Sequence, residues 1–480
     1  MTNRSQIKII KEFFMSTNTI DYKRVTPMQA YKWAASGKLK TGLIGPNDKI
    51  RTYIPPYDPA MLLFATLCNK LGEAIIKRSP FLSCGYDEMP TDFYSRKPLK
   101  KADDIVSKNI ELQTSEGQPF NLTKLTKGSK PKSDDWKNAS IIWGPGLGIR
   151  WATGLMGTSI GKTPVLQRLL DKSATVYTID QPWIDSNQNY PLSNINESEV
   201  LARRFYPSFA DWALANNLDE NPVIFMDHSM GVTNLEIHLS IYSDIIKKDP
   251  RLKKLFATRL SFGTPFPMVD GLMMLLSLGE PLLEKIGLDY FDYPGLGPLV
   301  KKLGIQKPLT NNPLNLGAFS CETLPSELID EFFEHAVAPW SRNQLRFFRL
   351  GAYRGHFSYL NKPQPFWPGM LNVNFMGTRD PLGSFFGALA YQMPQPQSIR
   401  DKTSFINVDR SLPPSTNYIL DNLDAINYIV IDPATHLELL CAGPSIFENF
   451  IWPTTEAIID SIVNAKLLAN NNVKRNQFYE

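Results

Sequence analysis

Residues 223–231 read Val-Ile-Phe-Met-Asp-His-Ser-Met-Gly, and this stretch decides the fold prediction. The four residues from Val223 to Met226 are an unbroken apolar run, which is typical of a strand buried on both faces. A helix-like pattern follows over residues 232–242. A serine at such a strand-to-helix turn presents its hydroxyl outside the sheet, within reach of a base and a carbonyl carbon. We therefore take Ser229 as the candidate nucleophile.

The bulk composition is that of a folded, globular chain. It has 480 residues, of which 43% are hydrophobic and 20% charged, enough for one large or two ordinary domains. The net charge of +4 is too small to favour a protein dedicated to nucleic-acid binding. Widely spaced cysteines without paired spacing favour neither a disulfide framework nor a zinc site.

The N-terminal residues lack the apolar stretch of a secretory signal. No window holds the roughly 18 uncharged apolar residues that a membrane-spanning helix needs. We therefore expect a cytoplasmic protein without a transmembrane segment. Peripheral contact with lipid, and export by a route without an N-terminal signal, are left open.

Strand-like segments alternate with helix-like segments along much of the chain. The strand-like segments are residues 139–143, 174–179, 223–226, 255–262, 371–376 and 426–431. This alternation predicts an α/β fold with a mostly parallel central sheet and helices on both faces. Residues 110–114 and 120–125 flank a polar turn, which predicts an antiparallel hairpin.

The alternation stops for about a hundred residues, which are rich in Pro, Phe, Leu and Trp and have helical periodicity in places. These residues predict a mostly helical insertion. The predicted divisions are an N-terminal extension that packs on the core (1–106), the first part of the core (107–265), the insertion (266–369) and the second part of the core (370–480).

A serine hydroxyl needs a histidine to take its proton and a carboxylate to orient that histidine. The chain has five histidines, and His436 follows the strand-like residues 426–431 by a short loop. Asp380 comes directly after residues 371–376. Carboxyl ends of parallel strands meet at one edge of a sheet, so both side chains are expected beside Ser229. Alternative acids are Asp409, Asp424 and Asp432.

A developing alkoxide needs two backbone N–H donors. One donor is expected from Met230, the residue after the candidate nucleophile. The other is expected from the glycine-rich turn Trp-Gly-Pro-Gly-Leu-Gly at residues 143–148. Pro145 has no N–H to donate. Leu147 is therefore favoured, with Gly146 as the second choice.

These motifs resemble the α/β-hydrolase superfamily, nearest to its lipase and esterase branches. The chain order of Ser229, Asp380 and His436 is the order found in that family. The turn at 146–148 resembles the His-Gly-Leu-Gly loop of lipases, with Pro145 at the position of their histidine. Residues 228–231, His-Ser-Met-Gly, match the second half of the family's Gly-His-Ser-Met-Gly motif.

The resemblance extends over residues 110–468 and implies an activity. The implied reaction is cleavage of a carboxylic ester of a largely apolar substrate through an acyl-enzyme on Ser229, with a thioester or amide as alternatives. It implies no cofactor and no metal, and it gives the insertion the position of a lid. Acyl transfer on the same fold and a catalytically inactive binding protein are the alternative functions.

Two features depart from known patterns. The family has a small residue two positions before the nucleophile, and this chain has Asp227. An unpaired buried charge is costly, so we expect either a neutralising partner or a looser turn. Taking Asp227 itself as the nucleophile fits worse, because Phe225 and Ser229 would then flank it.

Residues 157–163, Gly-Thr-Ser-Ile-Gly-Lys-Thr, are one residue too short for a phosphate-binding loop, which argues against nucleotide binding.

Overall fold

The computed structural model describes residues 25–38, 40–44, 50–51, 63, 66–67, 70–71, 104–182, 184–187, 190, 196–265, 280, 290–291, 324–336, 338, 340–354, 363–380 and 382–464. Within these ranges, no helix combines the length and the apolar composition needed to cross a bilayer. The cytoplasmic location stays a prediction.

One mixed sheet organises the described residues. Its strands are β1 (Lys40–Ile44), β2 (Ile50–Arg51), β3 (Ile105–Gln113), β4 (Pro119–Lys127), β5 (Ser140–Gly144), β6 (Thr175–Ile179), β7 (Val223–His228), β8 (Thr258–Phe262), β11 (Leu371–Gly377), β12 (Thr403–Asp409) and β13 (Ile426–Asp432). Their order is β2-β1-β12-β13-β11-β8-β7-β5-β6-β4-β3. In this spatial order, every neighbouring pair between β1 and β6 is parallel. The pairs at the two ends of the sheet are antiparallel: β2 with β1, β4 with β6, and β3 with β4. Strands β9 (Tyr290–Phe291) and β10 (Trp340–Ser341) form a separate antiparallel pair.

Helices connect the parallel strands. The α-helices are α1 (Pro27–Ala35), α2 (Val165–Asp171), α3 (Glu197–Val200), α4 (Tyr206–Ala215), α5 (Met230–Lys248), α6 (Pro250–Leu255), α7 (Ser326–Glu331), α8 (Arg342–Arg354), α9 (Phe385–Gln392), α10 (Gln397–Arg400), α11 (Thr416–Asp421) and α12 (Trp452–Val463). Turns of π-helix occur at Leu201–Phe205, Phe332–Ala336 and Phe447–Ile451. Turns of 3₁₀-helix occur at Trp151–Leu155, Thr158–Ile160, Asp185–Asn187, Leu218–Glu220 and Leu437–Leu439.

Helices cover both faces of the sheet. Because successive strand residues point to opposite faces, adjacent residues of one strand pack into different buried clusters. On β7, Phe225 belongs to one buried cluster, together with Leu235 of α5. Its neighbour Met226 belongs to a second cluster, together with Ile458 of α12. Every residue of β7 is buried. The predicted α/β class, with a mostly parallel sheet between two helical layers, is therefore confirmed.

The predicted hairpin is also confirmed, since β3 and β4 pair antiparallel along their full length. Strand β12 was not predicted from the sequence. The N-terminal region also supplies a strand that was not predicted, β1, which pairs parallel with β12. The described parts of residues 266–369 hold α7, α8 and the β9–β10 pair. The division into an extension, a two-part core and a lid stays a prediction.

Candidate active site

Ser229 lies on a strained turn between β7 and α5. Its backbone has φ 52° and ψ −125°, a combination that costs energy in a residue other than glycine. The Ser229 N–H donates to the Phe262 carbonyl at 2.8 Å, which fixes the turn to the end of β8. A Cβ on Gly231 would lie 2.5 Å from the Gly144 carbonyl oxygen. The start of α5 therefore packs directly on the end of β5, and only glycine fits at 231.

His436 and Asp380 form a buried pair. The imidazole Nδ1 lies 2.8 Å from Asp380 Oδ2. The other carboxylate oxygen, Oδ1, accepts the N–H groups of Leu382 at 2.8 Å and Gly383 at 2.7 Å. Because the carboxylate accepts, Nδ1 carries the proton and Nε2 carries the lone pair. That Nε2 is buried and has no hydrogen-bond partner among the described residues.

The pair lies beside the serine turn. The His436 ring centroid is 4.7 Å from that of His228, the residue before Ser229. Gly263 follows Phe262, whose carbonyl accepts the Ser229 N–H, and it has φ 62°. A Cβ on Gly263 would lie 2.8 Å from His436 Nδ1 and 3.1 Å from Asp380 Oδ2. The loops after β7, β8, β11 and β13 thus meet at one sheet edge, and Ser229, Asp380 and His436 lie on three of them.

The alternative acids have other partners. Thr378 Oγ1 donates to Asp432 Oδ1 at 2.5 Å, and Asp409 Oδ1 accepts from the exposed Ser411. Asp424 Oδ1 accepts the N–H of Ala425 at 2.8 Å. Among the four candidates, Asp380 is the one whose carboxylate contacts His436.

The glycine-rich turn after β5 lies against the candidate nucleophile. A Cβ on Gly146 would lie 3.0 Å from Ser229 Cβ. Leu147 is half-buried, and its packing contacts are with the core. Met230 begins α5, where the first N–H groups have no partner within the helix. The predicted donors Met230, Leu147 and Gly146 therefore lie on two segments that converge on Ser229.

Sequence reasoning missed a residue that fixes this turn. Buried Gln181 donates from Nε2 to the Gly146 carbonyl at 2.6 Å. Gln181 lies two residues after β6, at the same carboxyl edge as the other loops. That position was a usable signal, because polar residues after parallel strands gather at this edge.

Asp227 is buried, and neither carboxylate oxygen has a hydrogen-bond partner among the described residues. Burial raises the pKa of Asp227 well above its ordinary value; nearby Arg259 opposes this shift and Glu236 adds to it. The side chain fills the space over Gly144, where a Cβ would collide with Asp227 Oδ1. The turn is therefore not loosened: burial disfavours the charged form of the carboxyl group, and a glycine on the neighbouring strand makes room for the side chain.

Two other histidines, His228 and His238, are buried. Burial, with His436 nearby, lowers the pKa of His228 well below its ordinary value, so its ring is neutral beside His436. His238 on α5 has its Nδ1 2.9 Å from the Ala202 carbonyl. Burial lowers the pKa of His238 to about 4, which fits a structural core residue. His356 lies outside the described residues.

No family model matches the chain, and no curated protein sequence matches it. Solved structures to which it is similar include a monoglyceride lipase from Saccharomyces cerevisiae (11% identity, 77% of this chain and 97% of that one, TM-score 0.42). They also include a carboxyl esterase from Bacillus coagulans (13%, 75% and 99%, TM-score 0.37) and a monoacylglycerol lipase from Paleococcus ferrophilus (12%, 72% and 98%, TM-score 0.39). The strand order, the strained serine turn and the meeting of the loops at one sheet edge are features of the α/β-hydrolase fold. On those features the chain has the α/β-hydrolase fold.

Proposed function

We propose that this protein is a serine hydrolase that cleaves a carboxylic ester through an acyl-enzyme on Ser229. The observation that carries the proposal is the buried Nε2 of His436, which has no hydrogen-bond partner within the described part of the chain, while Nδ1 of the same ring contacts Asp380. A histidine with one nitrogen held by a carboxylate and the other bearing a lone pair is arranged as a general base.

The proposed reaction has two halves. Ser229 Oγ attacks the ester carbonyl while His436 Nε2 takes its proton, and the resulting imidazolium is stabilised by Asp380. The N–H groups of Met230 and Leu147, with Gly146 as the alternative second donor, stabilise the alkoxide of the tetrahedral intermediate. The imidazolium then protonates the departing alcohol. Water, deprotonated by His436, then attacks the acyl carbonyl. The acyl–Oγ bond breaks, the imidazolium returns the proton to Ser229 Oγ, and the carboxylic acid leaves. These steps require side chains and backbone donors only.

The substrate class is proposed from the surroundings of the turn. Ile149 belongs to a buried apolar cluster, and Leu147 packs against another. A Cβ on Gly146 would lie 3.2 Å from Ile149 Cδ1 and 3.0 Å from Ser229 Cβ, so Ile149 lies near the turn. Apolar walls around a few polar groups are typical of sites that bind an apolar ligand. We therefore propose an ester with a largely apolar acyl or alcohol part, with contact to a lipid surface as one source of such substrates.

The test is labelling with a fluorophosphonate probe, followed by mapping of the modified peptide. We expect the probe on Ser229 of the wild-type protein and none on Ser229→Ala. His436→Ala should slow labelling by about 10³-fold or more, because the base is lost. The control Ser411→Ala, at an exposed turn, should label like the wild type.

The same experiment separates the alternative functions. An acyl-enzyme that forms but turns over only with an added alcohol or amine would favour acyl transfer. Folded protein that neither labels at Ser229 nor hydrolyses p-nitrophenyl esters would instead identify an inactive binding protein. Ester hydrolysis by Ser229→Ala at the wild-type rate would show that Ser229 is not the nucleophile.

A further inference from the structure

The turn at residues 157–163, which resembles a short phosphate-binding loop, holds a carboxylate of the same chain. The Gly157 N–H donates to Glu331 Oε2 at 3.0 Å. The Ser159 hydroxyl donates to the same oxygen at 2.7 Å. Gly157 has φ 116°, a conformation that glycine alone adopts without strain. We call the N–H of Gly157 and the hydroxyl of Ser159 the Gly157 cradle.

Glu331 belongs to a stretch of the predicted insertion that packs on the core. We call residues 324–338, described except for 337, the docked segment. Leu328, Ile329 and Phe332 of this segment share a buried cluster with Ile149 and Leu437. Ile149 lies two residues after Leu147, and Leu437 directly follows His436. The docked segment therefore packs against both the predicted oxyanion loop and the histidine loop.

Backbone hydrogen bonds join the docked segment to the oxyanion loop. The Ala338 N–H donates to the Gly148 carbonyl at 2.6 Å. The Arg150 N–H donates to the Ala336 carbonyl at 2.7 Å. These bonds begin one residue after Leu147, so the path of the loop depends on the position of the docked segment.

The Gly157 cradle also packs on the chain that follows His436. A Cβ on Gly157 would lie 2.9 Å from Ala442 Cβ. A Cβ on Gly443 would collide with Ile160, which lies beside the cradle. One polar contact, between Glu331 and the cradle, thus lies where the docked segment, the oxyanion loop and the histidine loop are all packed together.

We propose that Glu331 is a positioning residue: by binding the Gly157 cradle it holds the docked segment against the loops that carry Leu147 and His436. This inference rests on the proposed function. Glu331 contacts neither Ser229 nor His436 and acts through the Gly148–Arg150 backbone. Because oxyanion donors bind the transition state more tightly than the substrate, a displaced donor lowers kcat and changes KM little.

The test compares Glu331→Gln and Ser159→Ala with a matched control, Glu327→Gln. Glu327 is exposed on the same helix, and its carboxylate is within hydrogen-bonding distance of Ser326 of that helix. We expect kcat to fall about tenfold in Glu331→Gln and KM to stay within about twofold, short of the roughly hundredfold loss expected when a donor is removed outright. Affinity for a boronic acid, which forms a tetrahedral adduct on serine, should fall by a similar factor.

The double variant sharpens the assignment. If Glu331 and Ser159 act through one contact, Glu331→Gln/Ser159→Ala should lose no more kcat than the more impaired single variant. Should Glu331→Gln fail to fold, Ser159→Ala carries the test. Unchanged kcat in both single variants, or a lower Tm with unchanged kcat, would overturn the inference. Wild-type protein that resists fluorophosphonate labelling would instead overturn the proposed function, so the two failures are distinguishable.

Discussion

The two faces of the central sheet differ sharply beneath the candidate site. Because residues paired in register on parallel strands point to the same side, β7, β8, β11 and β13 build rows across the sheet. One face carries the row His228, Phe262, Phe375 and Ile429. The other carries the row Asp227, Ser261, Asn374 and Tyr428. At this level the same strands therefore bury an aromatic and aliphatic row on one side and a largely polar row on the other, although Phe225, Met376 and Val430 on that second side belong to a hydrophobic cluster.

The polar face is connected by hydrogen bonds. Arg259 on β8 forms a fully buried ion pair with Glu236 on α5. Asn374 Nδ2 donates to Asn372 Oδ1 at 3.3 Å, and Thr264 Oγ1 donates to Asn374 Oδ1 at 3.2 Å. Asp227 belongs to this face, so its place beside Ser229 is part of a polar layer and not a defect of the turn. With one guanidinium facing two carboxyl groups, burial favours protonation of Asp227.

The apolar face is held by packing. Phe262 and Phe375 stack with ring centroids 5.3 Å apart and planes 5° from parallel. Packing is non-directional and tolerates similar volumes, whereas buried polar groups need their particular partners. The loops of the site therefore depend on two layers with different tolerance to substitution, and the difference can be measured.

The largest effect is expected for Arg259→Met on the polar face. This change leaves Glu236 buried without its cation, and removing one partner of a buried pair costs about 3–5 kcal/mol of unfolding free energy. The measurement is urea unfolding at neutral pH. Arg259→Met/Glu236→Gln should recover most of the loss, because no uncompensated charge remains buried.

The control for this prediction is an ion pair at the surface. Arg204 pairs with Glu116, whose side chain is 54% exposed. Arg204→Met should therefore destabilise the protein far less than Arg259→Met, because the carboxylate that remains is hydrated. Equal losses in the two variants would mean that the buried pair is not special, and the contrast between the faces would lose its electrostatic basis.

A second prediction compares adjacent residues of β11 that point to opposite faces. Asn374→Leu leaves Thr264 and the Asn427 carbonyl without their amide partner and should cost about 1–3 kcal/mol. Phe375→Leu loses one stacked pair and should cost about 0.5–1.5 kcal/mol. Urea unfolding of the two variants side by side checks this order. A greater loss for Phe375→Leu would contradict the greater sensitivity of the polar face.

Much of the fold could be predicted because the parallel strands either are apolar runs, as in β7, or alternate apolar with polar residues, as in β11. The prediction failed at β12, whose residues Thr-Ser-Phe-Ile-Asn-Val-Asp mix polar and apolar types without clean alternation. Asn407, which interrupts the apolar run, is nonetheless buried. The polar face was missed for a related reason: an apolar run indicates a strand but does not indicate which alternate residues share a face across the sheet.

The candidate triad could be predicted because its residues follow strands, and strand ends share an edge. The supporting contacts could not be predicted. Gln181 reaches Gly146, and Glu331 reaches Gly157, over separations for which the sequence has no periodic signal. Such contacts depend on how loops pack in space. The raised pKa of Asp227 likewise depends on its burial, which includes the contact with Gly144 on a strand far away in the chain.

The smallest effects on the free energy of unfolding are expected for Asp227→Asn. The direction in which this free energy changes with pH follows from the raised pKa of Asp227. The folded pKa of Asp227 lies above its ordinary value of 3.8, so the folded protein keeps a proton that the unfolded chain releases. Its contribution to stability is therefore complete below that ordinary value and is lost as pH rises through the folded pKa. Asparagine cannot ionise. Between about pH 5 and about pH 8, the variant should lose less stability than the wild type in urea unfolding. Glu236, whose pKa burial also raises, is present in both proteins, so the comparison reports the carboxyl group at 227 together with its interaction with Glu236.

The activity of Asp227→Asn then decides whether Asp227 matters to the turn as a charge or as a shape. Asparagine has nearly the volume of the protonated carboxyl group and fills the same space over Gly144. If the neutral shape is what the turn requires, kcat/KM for a p-nitrophenyl ester should stay within about threefold of the wild type, well under the tenfold that 1.4 kcal/mol represents. A flattened pH dependence of stability with unchanged activity would assign Asp227 to the polar layer. A large fall in kcat with stability preserved would instead mean that an ionisable group at 227 acts on Ser229 or His436, and the two faces could no longer be treated as separate supports.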